Sequence, residues 1–274
     1  MKIAATQISC ALGDIEANLR KIGEFSVRAK QSGADLVVFP EMVDTGYSMP
    51  VIRKCAQSWK SGAVPQLQQI AKELSIAIVA GVSDREGERI YNAQAFIDRS
   101  GNSIGKYRKT HLVTAAPLDE RPVFTPGNEF VACKIDSPKD GSAAADNFTA
   151  GMAICYDLRF PEVCRKLAVE QGANLIVVSS AWPWVRIEHL RVFALARAIE
   201  NQCYLVVANR VGTDDGVTLC GTSTIIDPHG AILAAASVDR EEIIYADISG
   251  EVLDLTRQRI RVFEHRRTDL YGAS

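Results

Sequence analysis

Short runs of small apolar residues, each followed by a stretch with helical spacing, recur along this chain and constrain its fold more than any other feature. Ile3 to Gln7, Leu36 to Phe39, Ile76 to Ala80, Ala93 to Ile97, Gly151 to Ile154, Leu175 to Val178 and Leu205 to Ala208 read as strands. Most lack a polar face, as expected of strands covered on both sides. Between them, Ile15, Leu19 and Ile22 share a helical face after Asp14, and Leu67, Ile70, Ala71 and Leu74 share another, started by Pro65. Leu190, Phe193, Ala194 and Ala198 make a third, and a further helix runs from Pro161 to about Gln171, ended by Gly172. This alternation predicts a layered α/β fold. Thr222 to Ile226 and Ala231 to Ala235, joined by Asp227-Pro228-His229-Gly230, predict a hairpin, so the fold is not one all-parallel sheet. Two halves of similar make-up predict two mixed sheets packed face to face with helices outside. At 274 residues, 47% of them hydrophobic, the chain is read as one domain over 1–274. Its most polar irregular stretch, Ser137 to Asn147, reads as an exposed hairpin loop.

One strand ends on a reactive residue. Cys155 follows Gly151 to Ile154 and precedes the helix opened by Pro161. A thiol at such a junction sits near unpaired backbone N–H groups and the positive end of a helix, which favour the thiolate. Cys155 is therefore a candidate nucleophile that needs a base and an oxyanion partner. Glu41, after the run Leu36 to Pro40, and Lys109, within Tyr107 to Leu112, are the candidates. Taken singly, each also fits an inert role: a solvated loop acid, a lysine on a charged face, a buried cysteine acting as a small hydrophobe.

Taken together and in this order, Pro40-Glu41, Tyr107-Arg108-Lys109-Thr110-His111-Leu112 and Ile154-Cys155-Tyr156-Asp157-Leu158-Arg159-Phe160-Pro161-Glu162 resemble the three signature segments of the nitrilase superfamily of carbon–nitrogen hydrolases. Ala181-Trp182-Pro183, Ala196 to Gln202, Asn209-Arg210-Val211-Gly212 and Phe263 to Gly272 extend the resemblance over nearly the whole chain, towards the amidase branches. The resemblance implies a four-layer αββα sandwich and a homodimer or higher homo-oligomer. It also implies a thioester mechanism with Cys155 as nucleophile, Glu41 as general base, and Lys109 with the Tyr156 backbone N–H on the oxyanion. It implies a second glutamate, Glu120, orienting the lysine or the attacking water; pairing of Glu120 with Arg121 or Lys109 in a structural role is the alternative. Tyr156, Arg159, Trp182 and Tyr47 are the candidate substrate-binding residues. Arg159 either meets a substrate carboxylate or pairs internally with Glu162 or Asp157, and Trp182 is either a wall of the pocket or core. Cys164, His189 and Cys203 read as packing residues. The small-molecule substrate implied is a carboxylate-bearing amide, as in the ω-amidase-like branch. A deaminated-glutathione amide, an N-carbamoyl amine and a nitrile are alternatives that keep the same triad, and a non-catalytic binding protein is the reading outside enzymes. Tyr156-Asp157 stands where true nitrilases carry Trp-Glu, which lowers the nitrile option.

Composition narrows the classes further. A formal net charge of -2 lacks the basic excess of a nucleic-acid binder. No run approaches the roughly 18–20 apolar residues of a membrane span, and Met1 to Gln7 enters a strand with no signal-type stretch. The 7 cysteines are scattered without paired spacing, which fits reduced thiols and a cytoplasmic location. His111, His189, His229 and His265 form no ligand array, so neither metal nor cofactor is expected. Phe263 to Tyr271 is too apolar for a loose tail and is predicted to dock on the body or across a dimer interface.

Overall fold

A computed structural model describes residues 1–115, 118–136 and 148–271. In chain order the elements are β1 (Lys2–Gln7), α1 (Ile15–Gln31), β2 (Leu36–Val38), α2 (Met49–Cys55), α3 (Ala63–Leu74), β3 (Ala77–Glu86), β4 (Arg89–Ile97) and β5 (Ser103–Arg108). The second half has β6 (Ala132–Lys134), β7 (Thr149–Ile154), α4 (Pro161–Glu170), β8 (Leu175–Ser180), α5 (Ile187–Asn201) and β9 (Tyr204–Asn209). It ends with β10 (Thr213–Asp214), β11 (Val217–Thr218), β12 (Thr224–Ile226), β13 (Ile232–Ala235), β14 (Glu242–Asp247), α6 (Gly250–Arg259) and α7 (Thr268–Tyr271).

Two six-stranded sheets form, ordered β14-β1-β2-β3-β4-β5 and β13-β12-β9-β8-β7-β6. Each has a parallel core, β1-β2-β3 in one and β7-β8-β9 in the other, flanked by antiparallel strands on both sides. The two halves therefore repeat one pattern, as their similar make-up predicts. Strand alternation sorts the side chains. Ile3, Ala5, Leu36, Val38 and Val79 join Ala150, Met152 and Val177 between the sheets. Ala4, Val37, Ile78 and Ala80 face the other way, onto Leu19, Ile22 and Phe25 of α1 and Leu67 and Ala71 of α3. Burial on both faces explains why these strands carry no polar stripe. α4 and α5 cover the outer face of the second sheet through Val163, Leu167, Leu190, Ala194 and Ala198. The result is an αββα sandwich.

Local signals act where expected. The Asp14 side chain accepts from Ala17 N at 3.0 Å and caps α1, and Pro161 opens α4. The hairpin of β3 and β4 is longer than its apolar centre predicts, because Ser83 to Glu86, all polar, continue the pairing with Arg89 to Asn92. β14 and α6 were not expected: β14 begins on Glu242 and is only half-buried, and α6 buries just Leu253 and Thr256, too little apolar surface for a clear period. The stretch Ser137 to Asn147 lies outside the described residues. Phe263 packs near the guanidinium groups of Arg257 (5.4 Å) and Arg165 (5.8 Å), so the start of the terminal segment does rest on the body. Among the described residues no helix is long and apolar enough to cross a membrane.

Candidate active site

Glu41, Lys109 and Cys155 leave the ends of β2, β5 and β7, so the first sheet brings the acid and the lysine, the second the thiol. The Glu41 segment stays tied to the sheet after β2 ends: Gly81 N donates to Pro40 O at 3.0 Å and Val43 N to Gly81 O at 2.8 Å. Gly81 must be glycine, because a Cβ there would lie 2.6 Å from Glu41 Cα and 2.8 Å from Pro40 O. Lys109 is held on both sides of its peptide, its N donating to Asn92 O and its O accepting from Gly127 N, both at 2.8 Å.

Side chains complete a fully buried ionic cluster. Lys109 Nζ lies 2.9 Å from Glu41 Oε1 and 3.0 Å from Glu120 Oε1. Asn92 Nδ2 donates to the same two oxygens at 2.6 and 3.1 Å. Glu120 also accepts from Tyr47 OH at 2.8 Å and, through Oε2, from Val113 N at 2.7 Å. The second Glu41 oxygen accepts Ala181 N–H at 2.8 Å. Two carboxylates around one ammonium leave a net negative charge out of water. Burial, with Glu120 beside it, accordingly raises the Glu41 carboxyl above its ordinary range, against the opposing pull of Lys109. Lys109 moves the other way from what burial alone would do: the two glutamates hold its ammonium charged well above the usual lysine value.

Cys155 begins a short 3₁₀ turn, Cys155–Arg159, with φ of +42°, a left-handed conformation unusual for a side chain with a Cβ. Asp157 pins that turn. Its buried carboxylate accepts Ile154 N–H at 2.9 Å, Tyr107 O–H at 2.7 Å and His111 N–H at 3.2 Å, so it ties the turn to the lysine segment. From α5, the buried Arg197 donates to Leu158 O at 3.0 Å and Arg159 O at 3.3 Å.

The expectation of a thiolate fails. Burial first, then the Glu41 carboxylate, push the Cys155 thiol well above its ordinary value; Lys109, Ala181 N–H and the Ser180 hydroxyl oppose this without reversing it. The physical reason is burial: the sulfur is withdrawn from water and lies near a carboxylate carried by the other sheet, which outweighs the local backbone N–H groups. Burial therefore favours the thiol over the thiolate at Cys155.

The remaining predicted residues separate. Glu120 is inside the cluster, and Arg121 takes Asp119 instead, at 2.7 Å. Tyr47 is buried and joins the cluster through its hydroxyl, which donates to Glu120. Trp182 is 2% exposed, with Nε1 donating to Arg186 O at 2.8 Å, so it is a core wall. Over it, at 4.9 Å, lies the Arg159 guanidinium, with Phe193 at 5.3 Å and Tyr156 at 5.5 Å. Arg159 does not pair with Glu162 or Asp157, and no carboxylate among the described residues lies within ion-pair distance of it. Burial and the charge of Arg186 weigh against its own charge. Cys164 and Cys203 are buried packing residues, whereas His189 is exposed and reaches Arg159. Asn92 and Asp157 were missed as site residues; a buried asparagine inside an apolar strand and an acid two residues after the nucleophile were the available signals. Among the described residues no group of three or more His, Cys, Asp or Glu side chains is placed to hold a metal ion.

Residues 2–258 match the family model described as carbon-nitrogen hydrolase. The chain is 35% identical over 271 residues to the 2-oxoglutaramate amidase of Bacillus subtilis (strain 168), covering 98% of each chain. It is 31% identical to the human omega-amidase, covering 97% of this chain and 94% of that one. Among solved structures, Nit3 of Saccharomyces cerevisiae, a member of branch 10 of the nitrilase superfamily, superposes with a TM-score of 0.85 at 28% identity, over 97% of this chain and 96% of that one. An amidase from Nesterenkonia sp. superposes with a TM-score of 0.83 at 26% identity, over 99% and 95%.

Proposed function

The chain belongs to the carbon-nitrogen hydrolase family, enzymes of the nitrilase superfamily that act on C–N bonds other than peptide bonds, and we propose that it hydrolyses small ω-amides bearing a carboxylate, through Cys155, Glu41, Lys109 and Glu120. The observation that carries the chemistry is the buried lysine clamped by two carboxylates, with the buried Cys155 close enough to feel both Glu41 and Lys109. Because burial favours the thiol, its proton has to leave as sulfur attacks the amide carbon, and Glu41 is the base that takes it. The raised Glu41 carboxyl suits this role, since a proton it accepts is held long enough to pass to the departing nitrogen. The tetrahedral oxyanion forms against the Lys109 ammonium and the Tyr156 backbone N–H. Collapse breaks the C–N bond, Glu41 delivers the proton, and ammonia leaves a Cys155 thioester. Water, deprotonated by Glu41, then attacks the thioester; the acid departs and the thiol regains its proton. Glu120 shares the Lys109 ammonium with Glu41 and holds it in place.

Arg159 supports the carboxylate part of the reading. A half-buried guanidinium with aromatic rings around it, and no carboxylate among the described residues within ion-pair distance, gains most from an anionic ligand. Arg159→Met is expected to raise KM for succinamate roughly 10- to 100-fold, the worth of a charge-assisted hydrogen-bonded pair, with kcat changed far less. Ammonia release from succinamate, glutaramate and 2-oxoglutaramate tests the substrate class directly; purified enzyme inactive on all three refutes it.

A pH dependence follows from the same cluster. The base must be ionised, and Glu41 is raised mainly by burial. The acid limb of kcat/KM should therefore fall through an apparent value above the ordinary glutamate value of about 4.3, a value that belongs to the coupled cluster and not to one residue. A limb at or below the ordinary value would contradict Glu41 as the base.

A further inference from the structure

A long side chain that swings freely is a poor reader of a carboxylate, because its rotamers must be frozen on binding. Arg159 is held from a second element. Its Nη2 lies 3.2 Å from Nδ1 of His189, in the first turn of α5. Arginine donates at every nitrogen and does not give up its charge, so the direction of this bond is settled: Nδ1 accepts, and the imidazole proton sits on Nε2. The His189 ring in turn packs edge-on against Phe193, with centroids 6.1 Å apart at 61°. Phe193 meets Trp182 in the same way, at 6.4 Å and 62°. The histidine is thus braced by the same rings that carry the guanidinium. Glu188, the acid next to His189, is engaged by Arg191 at 2.7 Å and does not compete for Arg159.

We propose that His189 is the positioning residue of a carboxylate subsite: its Nδ1 takes one Arg159 N–H, fixes the plane of the fork over Trp182, and leaves the other donors for the substrate. This rests on the ω-amide reading above and adds the residue that sets the affinity of that subsite. The reacting atoms are not involved, so the effect belongs in KM and not in kcat.

The test compares succinamate with butyramide, which has a methyl group where succinamate has its carboxylate, on the wild type and on His189→Leu, His189→Asn and Arg159→Met. His189→Leu should raise KM for succinamate roughly 5- to 20-fold, the fraction of a charged hydrogen bond that depends on its geometry, leaving kcat within twofold and butyramide kinetics unchanged. His189→Asn should recover most of the loss, since its amide oxygen can accept where Nδ1 did. Equal impairment in Leu and Asn variants, or equal loss on both substrates, would mean that His189 only packs, and the proposal falls. An unchanged KM in His189→Leu beside a raised KM in Arg159→Met would leave the ω-amide reading intact and overturn the positioning role. An unchanged KM in Arg159→Met as well would remove the subsite itself, and with it both readings.

Discussion

Cys155→Ala should abolish turnover, lowering kcat by a factor on the order of 10⁵ or more, while the protein stays folded. Burial favours the uncharged thiol, so its removal leaves only a small void, at a cost of about 1–2 kcal/mol. The matching measurement is intact-protein mass spectrometry after brief mixing with succinamate. Wild type should gain the mass of the acyl group at Cys155 and then lose it as water completes the cycle; the Ala variant should gain nothing. An adduct on the variant, or full activity without Cys155, would remove the thioester from the mechanism.

Lys109→Met is the second large effect, and it acts twice. Nζ is the shared partner of two fully buried carboxylates. Removing one member of such an arrangement costs roughly 3–5 kcal/mol, so thermal or denaturant unfolding should show a clearly less stable enzyme. Loss of a donor at the oxyanion lowers kcat by a further factor on the order of 10²–10³. The lowered stability has a chemical counterpart. Without the ammonium, the charge and hydrogen bond that oppose the upward shift of the Glu41 carboxyl are gone, and it rises further. The acid limb of kcat/KM should therefore move to higher pH than in wild type. A folded Lys109→Met enzyme with more than a tenth of wild-type kcat and an unmoved limb would show that the lysine is not the electrostatic centre of the site.

Much of this architecture is legible in the chain because it is locally encoded. A run such as Leu175 to Val178 has no polar residue to put on a wet face, and Pro161 can open a helix but not continue one, so β8 and α4 fall where they are expected. The identities of Glu41, Lys109 and Cys155 are also legible, through the company each keeps in its own segment. What the segments do not contain is each other. The thiolate expectation weighed only neighbours along the chain, and the groups that decide protonation, Glu41 and the seal against water, come from the opposite sheet. Tyr47 shows the same limit: its loop follows Glu41, but the partner of its hydroxyl is a glutamate 73 residues away. Asn92 is invisible for a different reason. Asn92 and Gln94 are polar residues of one strand, and only the positions of Glu41 and Glu120 explain why an amide has to stand at 92.

The pairing of β1 with β14 joins Lys2 to Asp247 and Gln7 to Glu242. That contact spans nearly the whole chain, and it has a consequence for when the first sheet is completed. During synthesis the acid and the lysine emerge more than forty residues before the thiol, yet the sheet that carries them cannot be finished until residues 242–247 have left the ribosome. Closing so long a loop is slow and adds nothing until the last strand arrives. A nascent chain therefore carries its acid and lysine on a first sheet that still lacks its edge strand until residues 242–247 pair with residues 2–7.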